Sequence, residues 1–139
     1  MSAVKVELIA CATCGSAERE THGSTRGERL LAELTRAHDP GASPIALSSV
    51  RCLWACTRSC AVHVRAPGRP SYVLCGFEPD EASAKGLLEW AALYAASRDG
   101  AVPFKQWPAA VKGHFLCRVP AAAVVGDDSD LPPDGSAVG

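Results

Sequence analysis

Five cysteines stand in two groups. Cys11-Ala12-Thr13-Cys14 closes a first apolar run, and Cys52-Leu53-Trp54-Ala55-Cys56-Thr57-Arg58-Ser59-Cys60 closes a second. Thiolates are soft, strongly donating ligands that select zinc, copper(I) or iron–sulfur clusters over hard cations. If residues 52–60 are helical, Cys52, Cys56 and Cys60 share one face at i, i+4 and i+8. A loop with a single helical turn also brings Cys52 and Cys56 together. Four thiolates around one centre then need little strain, so the chain reads as a metal or cluster carrier.

The elements that must position these groups can be read from the flanking residues. Val4 to Ala10 alternates, carries β-branched residues, and reads as a strand running into Cys11. Gly15 to Gly23 is a polar loop. Thr25 with Glu28 three residues later has the capping-box pattern, and Leu30, Leu31, Leu34 and Ala37 follow at helical spacing. His38-Asp39-Pro40-Gly41 ends that helix, with His38 at a C-terminus whose dipole favours it. Pro44 to Val50 is a second strand. In a β-α-β unit it runs parallel to the first, so both cysteine groups arrive at one end of a sheet.

Ala61 to Arg65 and Ser71 to Phe77 form two further strands, joined by a hairpin turn at residues 66–70. Pro79-Asp80-Glu81 opens a second helix with acids in its first turn. Leu87, Leu88, Ala91, Tyr94 and Ala95 supply its apolar face, and Arg98-Asp99-Gly100 ends it. The order β-α-β-β-β-α is that of a thioredoxin-like α/β domain, a mixed four-stranded sheet with helices packed on it, expected over residues 1–120. Residues 101–119 form a C-terminal extension whose Phe104 and Trp107 are too apolar to stand free in water, so it should pack on the core. Residues 121–139 show no periodicity and read as a disordered tail, with Asp127, Asp128 and Asp130 a solvated charge run.

Composition narrows the function. The chain has 139 residues, 47% of them apolar, and a formal net charge of -1. One domain with a real core is expected, without the electrostatic footprint of a nucleic-acid or membrane-surface binder. No run of eighteen apolar residues exists, which speaks against a membrane span. Glu7 stands where a secretory signal is apolar, so a cytoplasmic chain is expected. In a reducing compartment disulfides are rare, and an odd count of seven cysteines also argues against a disulfide scaffold. There is no Gly-rich phosphate loop, nucleophile elbow or paired-acid pattern, so no enzyme is expected.

Val50-Arg51-Cys52-Leu53-Trp54-Ala55-Cys56, followed by a strand and Ser71-Tyr72-Val73, resembles the second half of thioredoxin-like [2Fe-2S] ferredoxins. Over residues 8–120 the chain resembles more closely a little-characterised bacterial family of predicted metal-binding proteins, some of which sit in gene neighbourhoods for cobalt and cobalamin. The matching pieces are Cys11-x-x-Cys14, Cys52-Leu53-x-x-Cys56-x-Arg58-x-Cys60, Tyr72, Gly76, and Ala95-x-Ser97-x-Asp99-Gly100-x-Val102-Pro103. The resemblance implies a [2Fe-2S] cluster on cysteine thiolates, electron transfer or redox or metal sensing beside a partner protein, and a homodimer. Cys11, Cys14, Cys52 and Cys56 are the first choice of ligands, with Cys60 as a fifth candidate. The chain departs from the ferredoxins in the close spacing of Cys11 and Cys14, in having no cysteine near the helix start, where His22 and Thr25 stand, and in carrying Cys60.

Two other readings stay open. Four thiolates also hold zinc tetrahedrally, in a structural or soft-metal delivery role. Cys11-x-x-Cys14 after a first strand is also where a thioredoxin carries its dithiol. Against that, Gly15, Ser16 and a polar stretch separate Cys14 from the helix, and Ser59-Cys60-Ala61 has no proline where the thioredoxin site has one. Arg51, Arg58 and Arg65 are the cations available to favour a reduced cluster, and Leu53 and Trp54 to exclude water from it. Cys75 and Cys117 read as small buried hydrophobes. His63 falls on the opposite strand face from Val62 and Val64, and His114 carries no motif.

Overall fold

The computed structural model describes residues 5–12, 23–39, 41, 44–51 and 60–121. Its elements are β1 (Val6–Cys11), α1 (Arg26–Ala37), β2 (Ile45–Val50), β3 (Val62–Arg65), β4 (Ser71–Leu74), α2 (Glu81–Ala96), a 3-10 turn (Phe104–Gln106) and β5 (Phe115–Val119). The strands form one mixed sheet in the order β2-β1-β3-β4-β5. β1 and β2 run parallel, and every other neighbouring pair is antiparallel. The expected thioredoxin-like α/β class is borne out. The sheet has five strands instead of four, because the C-terminal extension returns as β5 on the outer side of β4. Residues 122–139, expected to be a disordered tail, lie outside the described residues.

Side chains alternate across a strand, and here the alternation sorts the sheet into two unlike faces. Val6, Leu8 and Ala10 of β1, Val62 and Val64 of β3, and Tyr72 and Leu74 of β4 join the main core. Leu30 and Leu34 of α1 and Leu87, Trp90, Ala91 and Tyr94 of α2 pack on them, so both helices cover this one face. Tyr72 meets Trp90 edge-to-face, with ring centroids 4.7 Å apart. The opposite face carries Glu7, Ile9 and Cys11 of β1, His63 and Arg65 of β3, and Val73 of β4; among the described residues no helix lies on it.

α1 starts where its sequence says it should. Thr25 caps it: Oγ1 accepts the Glu28 backbone N–H at 2.9 Å, and Glu28 Oε1 accepts the Thr25 backbone N–H at 2.9 Å. Two contacts seat this first turn on the end of β1. The Thr25 hydroxyl donates to the Ala12 carbonyl at 2.6 Å. Gly27 lies so close to Cys11 that a Cβ there would stand 1.8 Å from the Cys11 carbonyl oxygen. Asp80 caps α2 through the Ser83 backbone N–H. No helix among the described residues is long and apolar enough to cross a membrane.

Gly27→Ala should force α1 off β1 and cost at least about 3 kcal/mol, the upper range for overpacking. Thr25→Ala should cost only about 1 kcal/mol, the usual loss of a cap. Urea unfolding of both variants checks the order. Half-buried His63 on the helix-free face holds its pKa below 6.5, by burial first and the Arg65 charge second, against Glu7. The unfolded chain then binds the proton more readily than the folded one. Stability present above about pH 6.5 is therefore lost as the pH falls below it. His63→Gln should flatten that acid slope in urea midpoints measured at about pH 7.5 and about pH 5.5.

Candidate metal centre

One edge of the sheet gathers the chain ends that matter. β1 finishes there at Cys11 and β2 at Val50, β3 begins just beyond Cys60, and β4 runs out there through Cys75. The edge is tied laterally: the Cys11 N–H donates to Ala61 O at 3.1 Å, and the Ala12 N–H to Val50 O at 2.8 Å. Residues 13–22 leave this edge after Ala12 and rejoin it before α1. Residues 52–59 leave it after Arg51 and rejoin it at Cys60. Cys14, Cys52 and Cys56, with His22, Leu53, Trp54 and Arg58, are in those two segments and lie outside the described residues. Both ends of both segments are nonetheless anchored at the edge that carries Cys11.

The described cysteines are not equivalent. Cys11 is fully buried on the helix-free face, where it clusters with Ala61 and with Cys75, itself 1% exposed. Cys60 is also fully buried but belongs to the main core on the helix side. Its backbone exchanges hydrogen bonds with Phe77, and strand alternation turns its side chain away from that of Cys11. Burial pushes the Cys60 thiol up to about 11, with the nearby Arg26 charge opposing and Glu78 reinforcing. Among the described residues no group of three or more His, Cys, Asp or Glu side chains is placed to hold a metal. Any complete ligand set must therefore draw on the two segments.

Charge at the edge is positive on the α1 side. The helix N-terminus points its dipole there, and Arg26 bridges Glu78 at 3.1 Å and donates to the Phe77 carbonyl at 3.3 Å. Arg26 was not among the cations the sequence suggested, since nothing local links it to Cys60. Arg51 stands at this edge as expected. Arg65 does not: β3 runs antiparallel to β1, so Arg65 lies at the far end of the sheet, paired with Glu7 at 2.7 Å.

His114 also joins the edge without a sequence signal. Its backbone carbonyl accepts the Cys75 N–H at 2.7 Å, its Nδ1 lies 2.9 Å from Cys75 O, and its ring stacks on Phe77 at 4.4 Å between centroids. A carbonyl only accepts, so Nδ1 carries the proton and Nε2 keeps its lone pair when the ring is neutral. That is the orientation device common to ligating histidines.

A family model described as Protein of unknown function (DUF1636) matches residues 8–121. The chain belongs to the DUF1636 family. No curated protein and no solved structure matches the chain significantly. The DUF1636 region runs from within β1 to just past β5, so it takes in all of the sheet but the first two residues of β1, and all seven cysteines. The expectation of a little-characterised family is met, and the family's description carries no ligand.

Cys75 is buried as expected, but Cys117 is exposed. It sits on β5, the last strand among the described residues, opposite Val73 on the face that no described helix covers. Iodoacetamide should therefore label Cys117 in the native chain and reach Cys60 only after unfolding, since the nucleophile is the accessible thiolate. Peptide mapping by mass spectrometry checks this, and rapid native labelling of Cys60 contradicts the placement.

Proposed function

We propose that this chain holds a [2Fe-2S] cluster on cysteine thiolates at the Cys11 edge and passes single electrons to or from a partner protein. The observation that carries the reading is the anchoring of both cysteine segments, at both ends, on the sheet edge where Cys11 lies. Cys11, Cys14, Cys52 and Cys56 are the ligands of choice. Cys60 faces the helix-side core, away from Cys11, which favours leaving it out of the set. The donor chemistry suits the group, because buried thiolates bind soft metals and a shell of apolar side chains limits water.

Bound there, such a cluster supplies one-electron redox chemistry, its charge moving from about −2 to about −3. Arg26, Arg51 and the α1 N-terminus supply the positive potential that favours added negative charge. The dithiol reading is less well supported, since Thr25 and Glu28 already occupy the first-turn donors of α1 and ten residues separate Cys14 from Thr25. The reading carries with it a cytoplasmic setting, where thiols stay reduced, and a homodimer, which the ferredoxin resemblance suggests.

Anaerobically purified protein should be red-brown, with broad absorption from about 330 to 550 nm and iron and sulfide in equal amounts. Single Cys→Ser changes at Cys11, Cys14, Cys52 or Cys56 should each bleach it. Cys60→Ala should keep the colour while lowering the urea midpoint, as loss of a buried side chain does. Colourless protein carrying stoichiometric zinc refutes electron transfer, and colourless metal-free protein with a cycling disulfide refutes the metal reading altogether.

A further inference from the structure

The helices stop short of the last strand. α1 and α2 pack against β1 to β4, and the helix-side face of β5 is covered instead by residues 102–107. Between this cover and the sheet lies a cleft of about 560 Å³, lined by Tyr72, Val102, Phe104, Trp107, Phe115 and Arg118. Its size is that of a small-molecule site. Its walls come from an irregularity. In a regular strand Phe115 and Arg118, three apart, point to opposite faces. Here Arg118 pairs with Tyr72 while Phe115 pairs with Leu74, a register shift that leaves one extra residue in β5. Tyr72 and Leu74 share the helix-side face, so the bulge turns Phe115 and Arg118 to that face together.

The cleft is rigid at its roof and open at its rim. The Trp107 indole N–H donates to Val102 O at 2.8 Å, and the Trp107 backbone N–H closes the 3-10 turn on Phe104 O at 3.0 Å. The rings meet at angles and do not stack: Phe104 and Trp107 at 47°, Trp107 and Phe115 at 59°. Phe104 is 60% and Phe115 45% exposed, so an extension expected to bury its aromatics leaves two of them at a rim. Tyr72, only 4% exposed, forms the floor, and its hydroxyl makes no hydrogen bond to a described residue. Among the described residues Arg118 makes no ion pair and no carboxylate lines the cleft, and a second cation, Lys112, stands 5.1 Å from the Phe104 ring.

We infer that this cleft binds a small organic anion with a flat apolar body, an aryl or heteroaryl carboxylate. Its ring enters between Phe104, Trp107 and Phe115, and its carboxylate meets the Arg118 guanidinium, whose planar fork matches that group. The Tyr72 hydroxyl offers a further polar contact at the floor. An exposed tilted-ring rim, one oriented cation and an unpartnered hydroxyl are the few converging polar groups that fix a ligand in an otherwise apolar site. None of the described cysteines lines the cleft, and no step of this inference draws on the metal reading.

The test titrates the full chain with 2-naphthoate and, in parallel, with uncharged 2-naphthamide, by calorimetry. Naphthoate should bind at least about tenfold more tightly than the amide. Arg118→Gln should erase that preference while leaving the urea midpoint unchanged, and Phe104→Ala should weaken both ligands about tenfold. Equal affinity for the two ligands, no naphthoate binding at millimolar concentration, or an unchanged preference in Arg118→Gln overturns the inference. So does a dimer in sedimentation that Phe104→Ala dissociates, since a second copy then occupies the cleft.

Discussion

The contact between Gly27 and the Cys11 carbonyl is the constraint on which the rest of the molecule hangs. A helix whose first turn sits within bonding reach of a strand terminus tolerates no side chain at that point, and a Cβ at Gly27 would lie 1.8 Å from the carbonyl oxygen. The Thr25 hydroxyl adds a direct bond to the next carbonyl, at Ala12. Together they fix where β1 ends, how α1 leaves, and where the positive end of the helix stands. With the Cys11 backbone held from the helix side and from Ala61, its side chain is left on the other face, beside Ala61 and Cys75.

That geometry divides the cysteines. Alternation along β1 and through residues 60–64 is strict, so Cys60 and Cys11 cannot share a face while Ala61 pairs across from Cys11. Five thiols were one more than a cluster or a zinc ion takes. The position of Cys60 favours leaving it out of the proposed set of Cys11, Cys14, Cys52 and Cys56, because a thiol already packed in the helix-side core must give up core contacts to ligate. A buried thiol pushed up to about 11 also stays protonated through the neutral range, which suits a packing role.

Local chemistry was legible where it is self-contained. Thr25 and Glu28 form their capping box within four residues, the turn at residues 66–70 closes its own hairpin, and parallel β1 and β2 follow from the helix between them. What was not legible depends on contacts between distant segments. Arg65 resembled a cation near the cysteines until the antiparallel hairpin carried it to the opposite end. Arg26 and His114 reach the edge through Phe77, Glu78 and Cys75, fifty or forty residues away in sequence. Phe115-Leu116-Cys117 is as apolar as a core strand, yet Cys117 is exposed because it stands opposite Val73 on the face that no described helix covers.

The position of β5 also explains why one small domain can carry two unlike surfaces. Function at a sheet terminus needs loops, and loops can change without disturbing ladder bonds. Function on a sheet face needs room for a ligand, and here it opens between β5 and the segment 102–107 that lies over it. A fully regular fifth strand would leave Phe115 and Arg118 on opposite sides and present a plain edge, the form most prone to unwanted pairing. The bulge disrupts that edge and in the same stroke assembles an aromatic wall with a cation at its mouth. A single inserted residue thus does two things: it discourages strand addition along β5 and gives the cleft under residues 102–107 a chemistry of its own.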